Sequence, residues 1–214
     1  MRAGVVFDND GLLLDTEPCW TRAQVEVFRR RGRSFGLEEK RALVGTAPAT
    51  AARVLERLLG APGEGQALSD ELFELALAEI AAGAEPRPGA VRLVERLRSL
   101  TPLAVASNAP RRHLLAGLER TGLAGAFDVL LGVDDVAEPK PAPDLYLEAC
   151  RRLGALPSRS TALEDSPPGV ASARAAGLFV IGIPSVAGVR LEADFEASSL
   201  ADERVWELLA NRLV

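Results

Sequence analysis

The chain has 214 residues, 48% of them hydrophobic and 26% charged, and a formal net charge of −5. That length buries a sizeable core, enough for one domain plus a modest insertion, and the composition is that of a globular protein. The acidic balance leaves no basic footprint, so nucleic acid is excluded as an expected partner; a membrane is excluded too, because no apolar run approaches the roughly 18 residues of a span.

The first element is a strand over Ala3 to Phe7, running straight into Asp8-Asn9-Asp10-Gly11. Buried strands do not normally end in paired carboxylates. If the backbone stays extended through Asn9, then Asp8 and Asp10 project to one side and Asn9 to the other. Two anions held that close repel unless something positive sits between them. Oxygen ligands of this kind suit Mg²⁺. An Asp-Gly hairpin turn is the bland alternative, but Leu12-Leu13-Leu14 lacks the alternation of a second strand.

Helical spacing follows over Cys19–Arg31 and Ala49–Leu59, and Gly60 to Gly65 breaks it. Ser69 is placed to cap a third helix carrying Leu72, Phe73, Leu75 and Ile80. No strand signal occurs between Pro18 and Gly83. Asp15 and Thr16 stand where the chain enters this helical stretch, as hinge residues or, for Thr16, a cap.

After Glu85-Pro86-Arg87-Pro88-Gly89 the pattern alternates. Helices are predicted over Ala90–Leu100, Arg111–Thr121, Pro143–Leu153 and Val170–Ala176. Strands are predicted over Leu103–Ala106, Phe127–Leu131, Thr161–Leu163 and Leu178–Ile183. Such alternation means right-handed crossovers and a doubly wound parallel sheet, here an α/β core of residues 1–15 and 84–214 with residues 16–83 inserted as an all-helical domain.

The strand ends are polar: Asp8-Asn9-Asp10, Ser107-Asn108, the loop to Lys140, and Glu164-Asp165. In a parallel sheet these ends converge on one edge, where ligands bind. Carboxylates, a hydroxyl, an amide and one lysine together suit a metal plus a phosphate. Lys140 is one of only two lysines, the other being Lys40, in a chain whose default cation is arginine. The single histidine, His113, excludes a poly-histidine metal site and reads as structural. Cys19 and Cys150, in no metal-ligand spacing, read as reduced thiols; with no signal peptide this predicts a cytoplasmic protein.

Taken together, these motifs resemble the haloacid dehalogenase superfamily, in its branch of phosphatases and phosphoglucomutase-like enzymes with a helical cap. Its four motifs are matched in order by Asp8-Asn9-Asp10-Gly11, Ser107-Asn108, Lys140-Pro141-Ala142-Pro143-Asp144-Leu145-Tyr146, and Glu164-Asp165-Ser166 with Gly169-Val170. The resemblance implies a Rossmann-like core and Asp8 as nucleophile. It makes Asp10 the general acid/base and a Mg²⁺ ligand through its carbonyl. Ser107 and Lys140 hold the phosphoryl oxygens, Asn108 lies beside them, and Asp165 and Glu164 complete the metal shell with Asp165 the direct ligand. Arg111 is assigned to the substrate side of the cleft, with a plain surface position as its alternative. Asn9 departs from the family's usual apolar residue and is expected to affect packing.

The β-phosphoglucomutases carry a cap histidine where this chain has Trp20, and cap cations where it has Gly45-Thr46-Ala47-Pro48-Ala49-Thr50. An indole lacks a histidine's acid-base and gating chemistry, so Trp20 is assigned to shaping the leaving-group pocket. The expected function is therefore a Mg²⁺-dependent phosphatase of small phosphorylated metabolites, sugar phosphates foremost, acting as a monomer or weak homodimer. The alternatives are a β-phosphoglucomutase-like mutase and a non-catalytic binding module.

Overall fold

The computed structural model describes residues 2–186 and 188–213. The chain opens with β1 (Val5–Phe7), then β2 (Leu14–Asp15), α1 (Glu17–Arg29), α2 (Leu37–Leu43), α3 (Pro48–Leu59), α4 (Gly65–Gly83) and β3 (Glu85–Pro86). Beyond it come α5 (Ala90–Leu97), β4 (Leu103–Ala106), α6 (Arg111–Arg120), β5 (Val129–Leu131), α7 (Asp144–Leu153), β6 (Thr161–Glu164), α8 (Pro167–Ala175), β7 (Phe179–Gly182), β8 (Phe195–Glu196) and α9 (Glu203–Leu213).

Six strands form one parallel sheet in the order β5-β4-β1-β6-β7-β8. The predicted doubly wound α/β fold is therefore present. Strand alternation divides the core into two layers. Val5, Phe7, Val105, Leu163 and Ile181 face a cluster completed by α5, α6 and α9. Val6, Ala104, Ala106, Ala162 and Val180 face the opposite one, built on α7 and α8. Because β1 lies between β4 and β6, the strand order reverses there, and the carboxyl end of β1 opens on the crevice such a reversal creates.

Helices α1 to α4 fill the interval between β2 and β3, which pair antiparallel as Leu14 with Pro86 and Asp15 with Glu85. These helices have an apolar cluster of their own, including Val27, Phe28, Leu43, Leu55, Leu68, Leu72 and Phe73. Among the described residues no helix is long and apolar enough to cross a membrane.

Three local readings need correction. Ser69 caps nothing: α4 begins at Gly65, and the buried Ser69 hydroxyl donates to the Pro48 carbonyl at 3.0 Å. Thr16 occupies the N-cap position of α1 without making a side-chain cap bond. The β2–β3 pair and α2 were not predicted. Past Phe7 the chain keeps the ladder at Asp8, whose N–H donates to the Leu163 carbonyl, and it turns at Gly11 to Leu13, with the amides of Leu13 and Leu14 both donating to the Asn9 carbonyl and Gly11 N–H to the Leu14 carbonyl. Asn9 is buried and its side-chain oxygen has no hydrogen-bond partner.

Candidate active site

The strand ends deliver their polar residues to one place. Lys140 Nζ lies between Asp8 Oδ1 at 2.6 Å and Glu164 Oε1 at 2.5 Å, and also donates to the Ala106 carbonyl at 2.9 Å. Its side chain is only 3% exposed. Burial alone would pull its pKa down, but Asp8 and Glu164 outweigh burial and hold it above the ordinary lysine range. The Lys140 loop is braced by Asn108, whose side-chain oxygen accepts from Lys140 N–H at 2.8 Å. Asn108 Nδ2 donates in turn to the carbonyls of Lys140 and of Gly45, both at 3.3 Å, so it touches the helical segment as well.

Asp8, Glu164 and Asp165 are all buried and present carboxylate oxygens within 4.8 Å of one another. Burial first, then the neighbouring carboxylates, push the Asp8 carboxyl well above its usual range against the pull of Lys140. Asp165 is pushed up to about 7, by burial and then by Glu164. Three buried carboxylates facing one ammonium leave the cluster short of positive charge. That is the condition a divalent cation relieves. Asp165 packs directly against Gly11: at φ 89° that residue holds a backbone conformation L side chains rarely adopt, and a Cβ there would collide with Asp165 Oδ2.

Glu164 has both oxygens engaged. Oε1 accepts from Lys140 and from the Tyr146 hydroxyl at 2.7 Å; Oε2 accepts from Asp165 N–H at 3.0 Å and the Ser166 hydroxyl at 3.2 Å. Gly169 leaves room for it, since any Cβ at that position would overlap the Glu164 carboxyl. Tyr146 is fully buried and its hydroxyl pKa is raised by burial, then by Glu164. Its role had no signature in the sequence, where it is simply the last residue of the third motif.

Asp10 lies near Asp8 and Asp165 and takes three donors of its own. Its Oδ1 accepts from Thr16 Oγ1 at 2.6 Å and from the indole N–H of Trp20 at 3.2 Å, and its Oδ2 accepts from Ser107 Oγ at 3.1 Å. Two of the three donors come from the start of α1. The Thr16 hydroxyl thus serves Asp10, not the helix it precedes, and Trp20 makes a hydrogen bond in the position where gating by an indole had been discounted. The Trp20 ring stacks on His113 (centroids 5.7 Å apart, 8° between planes) and meets Phe73 edge-on at 5.1 Å. His113 is structural, as expected. It is buried, desolvation lowers its pKa, and its Nε2 donates to the Phe73 carbonyl at 2.7 Å. Arg111 is not drawn in: it is exposed, and its Nε donates to the Leu130 carbonyl at 3.3 Å.

With this geometry in view, residues 3–177 match the family described as haloacid dehalogenase-like hydrolase. The fructose-1-phosphate phosphatase YqaB of Escherichia coli is 32% identical over 181 residues, covering 85% of this chain and 96% of the relative. A phosphorylated carbohydrates phosphatase of Thermotoga maritima is 30% identical over 175 residues, 81% of each chain. The crystal structure of CbbY from Rhodobacter sphaeroides in complex with phosphate superimposes with a TM-score of 0.83 at 32% identity, covering 94% of this chain and 96% of that one. A family match across most of the chain, on a fold whose strand ends gather three carboxylates around one buried lysine, leaves one assignment: the chain belongs to the haloacid dehalogenase-like hydrolase family.

Proposed function

We propose that this chain is a Mg²⁺-dependent phosphomonoester hydrolase of small phosphorylated metabolites, sugar phosphates foremost, working through an aspartyl-phosphate on Asp8. One observation carries the reading: Lys140 Nζ bonded to Asp8 beside Asp165, at the carboxyl edge of the sheet. The names of the relatives support the substrate class, fructose 1-phosphate for one and phosphorylated carbohydrates for another. CbbY, similar in structure, is described with phosphate and with xylulose-(1,5)bisphosphate.

Phosphoryl transfer asks for in-line positioning and charge neutralisation. Asp8 supplies a carboxylate oxygen to attack phosphorus, and Lys140 offsets the repulsion between that oxygen and the anionic substrate. Ser107 and Lys140 hold phosphoryl oxygens. Asp10 gives a proton to the leaving oxygen and later takes one from water. The carboxylates of Asp8 and Asp165, with the Asp10 carbonyl, would hold Mg²⁺, which when bound neutralises and orients the phosphoryl oxygens. Glu164, its oxygens already engaged, fixes Lys140 and adds charge from behind. Residues 16–83 act as a cap that excludes bulk water from the α/β core.

Trp20 in place of a cap histidine, and the lack of lysine or arginine in Gly45–Thr50, favour hydrolase over mutase. Assay with p-nitrophenyl phosphate and Mg²⁺, then with β-glucose-1-phosphate plus its bisphosphate activator, tests this. Release of inorganic phosphate is expected. Isomerisation without phosphate release would replace the reading with a mutase, and neither activity would leave a binding module.

Chelation by EDTA is expected to lower turnover at least about a hundredfold (~2.7 kcal/mol in barrier), with recovery on adding Mg²⁺ and little recovery with Ca²⁺, whose looser coordination spoils in-line attack. Thermal unfolding checks binding separately: Mg²⁺ at about 100 times its Kd adds ~2.7 kcal/mol of stability. Full activity in chelator and no stabilisation by Mg²⁺ would remove the metal.

A further inference from the structure

We propose that Trp20 is a positioning residue for Asp10, one that sets this carboxylate for the step in which the aspartyl-phosphate is hydrolysed. The inference rests on the phosphatase reading above and adds to it a residue that acts through Asp10 and not on substrate.

Three donors meet the Asp10 carboxylate, from three different points of the chain. Ser107 stands at the end of β4, Thr16 at the entry to α1, and Trp20 one turn into α1. Hydroxyls of serine and threonine rotate freely about their last bond, but an indole N–H is a donor only, fixed in the ring plane. Where the ring goes, the proton goes. The ring is held on two sides: His113 of α6 lies parallel to it and Phe73 of α4 meets it edge-on. Those two are joined to each other by the bond from His113 Nε2 to the Phe73 carbonyl, and their rings pack at 5.5 Å. Trp20 also packs against the apolar clusters of both the sheet core and the helical segment. The indole is therefore fixed only when α1, α4 and α6 sit as they do here. That makes the Trp20–Asp10 bond a report, delivered to the acid/base group, that the helices are in place.

Hydrolysis of the aspartyl-phosphate is the step that depends on it. A water oxygen bonds to phosphorus, the bond from phosphorus to the Asp8 oxygen breaks with its electron pair returning to Asp8, and the water proton passes to Asp10. Inorganic phosphate leaves. Loosening Asp10 slows this step for every substrate, whereas formation of the aspartyl-phosphate from p-nitrophenyl phosphate hardly needs Asp10, because p-nitrophenolate leaves without a proton.

Trp20→Phe keeps an aromatic ring between His113 and Phe73 and removes the N–H. With p-nitrophenyl phosphate and Mg²⁺, kcat is expected to fall about tenfold with KM falling in parallel, so that kcat/KM changes little. Stopped flow is expected to give a p-nitrophenolate burst at least as large as in the parent enzyme. A loss in kcat/KM with no burst would mean that Trp20 is ordinary packing, and would overturn the proposal. A second measurement needs no turnover. The chain has two tryptophans, Trp20 and Trp206, hence two indole ¹H–¹⁵N resonances; Trp20→Phe assigns them. Asp10→Ala is expected to shift the Trp20 indole proton upfield and leave that of Trp206 in place, and an unmoved Trp20 resonance would overturn the hydrogen bond. If the parent enzyme failed to release p-nitrophenolate, the phosphatase reading would fall, while the indole resonance would still decide whether Trp20 holds Asp10.

Discussion

Asp8→Asn is expected to lower turnover of p-nitrophenyl phosphate at least about a thousandfold, ~4 kcal/mol in barrier terms, while the protein stays folded. An amide has no anionic oxygen to attack phosphorus and cannot form the aspartyl-phosphate. The fold should tolerate the change because Lys140 keeps Glu164 at 2.5 Å and the Ala106 carbonyl at 2.9 Å. The substitution also removes one of three buried carboxylates from a cluster that holds a single ammonium. Without added metal the melting temperature should therefore hold or rise, because relief of like-charge repulsion opposes the loss of one ion pair. Parallel kinetics and thermal melts check both halves. Activity within tenfold of the parent enzyme would take the nucleophile's role from Asp8.

The gathering of polar residues at the sheet's carboxyl edge was legible in the sequence because a parallel sheet brings its strand ends together. Asp8, Ser107 and Asp165 each follow directly on a short apolar strand, so knowing the strands was enough to know that these residues meet. Lys140 was legible for another reason, its rarity in an arginine-rich chain. What escaped depends on partners distant in sequence and on no repeating pattern. Helix α2, Leu37–Leu43, buries only Leu43, and one buried residue makes no periodicity. The β2–β3 pair is two residues on each strand, too short to alternate. Tyr146 reaches Glu164 across eighteen positions and from another element. For Thr16 the sequence offered a hinge or a helix cap, the latter the usual use of threonine at that place, while the hydroxyl goes to the Asp10 carboxylate and makes no cap bond. Trp20 was singled out as the residue standing in for a histidine. Its hydrogen bond could not be foreseen, because it depends on how α4 and α6 hold the ring.

The two lysines provide an internal control. Lys140→Ala is expected to cost at least about a hundredfold more in kcat/KM than Lys40→Ala, ~2.7 kcal/mol of transition-state stabilisation. It should also destabilise the protein by about 3–5 kcal/mol, since it strands Asp8 and Glu164 as buried charges without their partner. Lys40, on α2, pairs with Glu17 at 3.0 Å and donates to the Thr21 hydroxyl at 3.0 Å, with both ion-pair partners about a third or more exposed. A partly exposed pair of this kind contributes roughly 0–1 kcal/mol. Lys140→Arg separates charge from shape. It restores a cation and so should recover part of the lost stability, but not the activity. Three acceptors close on Nζ within 2.9 Å in a site where the side chain is 3% exposed. A planar guanidinium is wider than the ammonium and spreads its charge over a fork, so it cannot sit in that space with Asp8 still aimed at phosphorus. Chemical denaturation and steady-state kinetics on the three variants give the comparison. Near parental activity for Lys140→Arg would show that a diffuse charge suffices, and that the compact contact between Lys140 and Asp8 is not what neutralises the substrate.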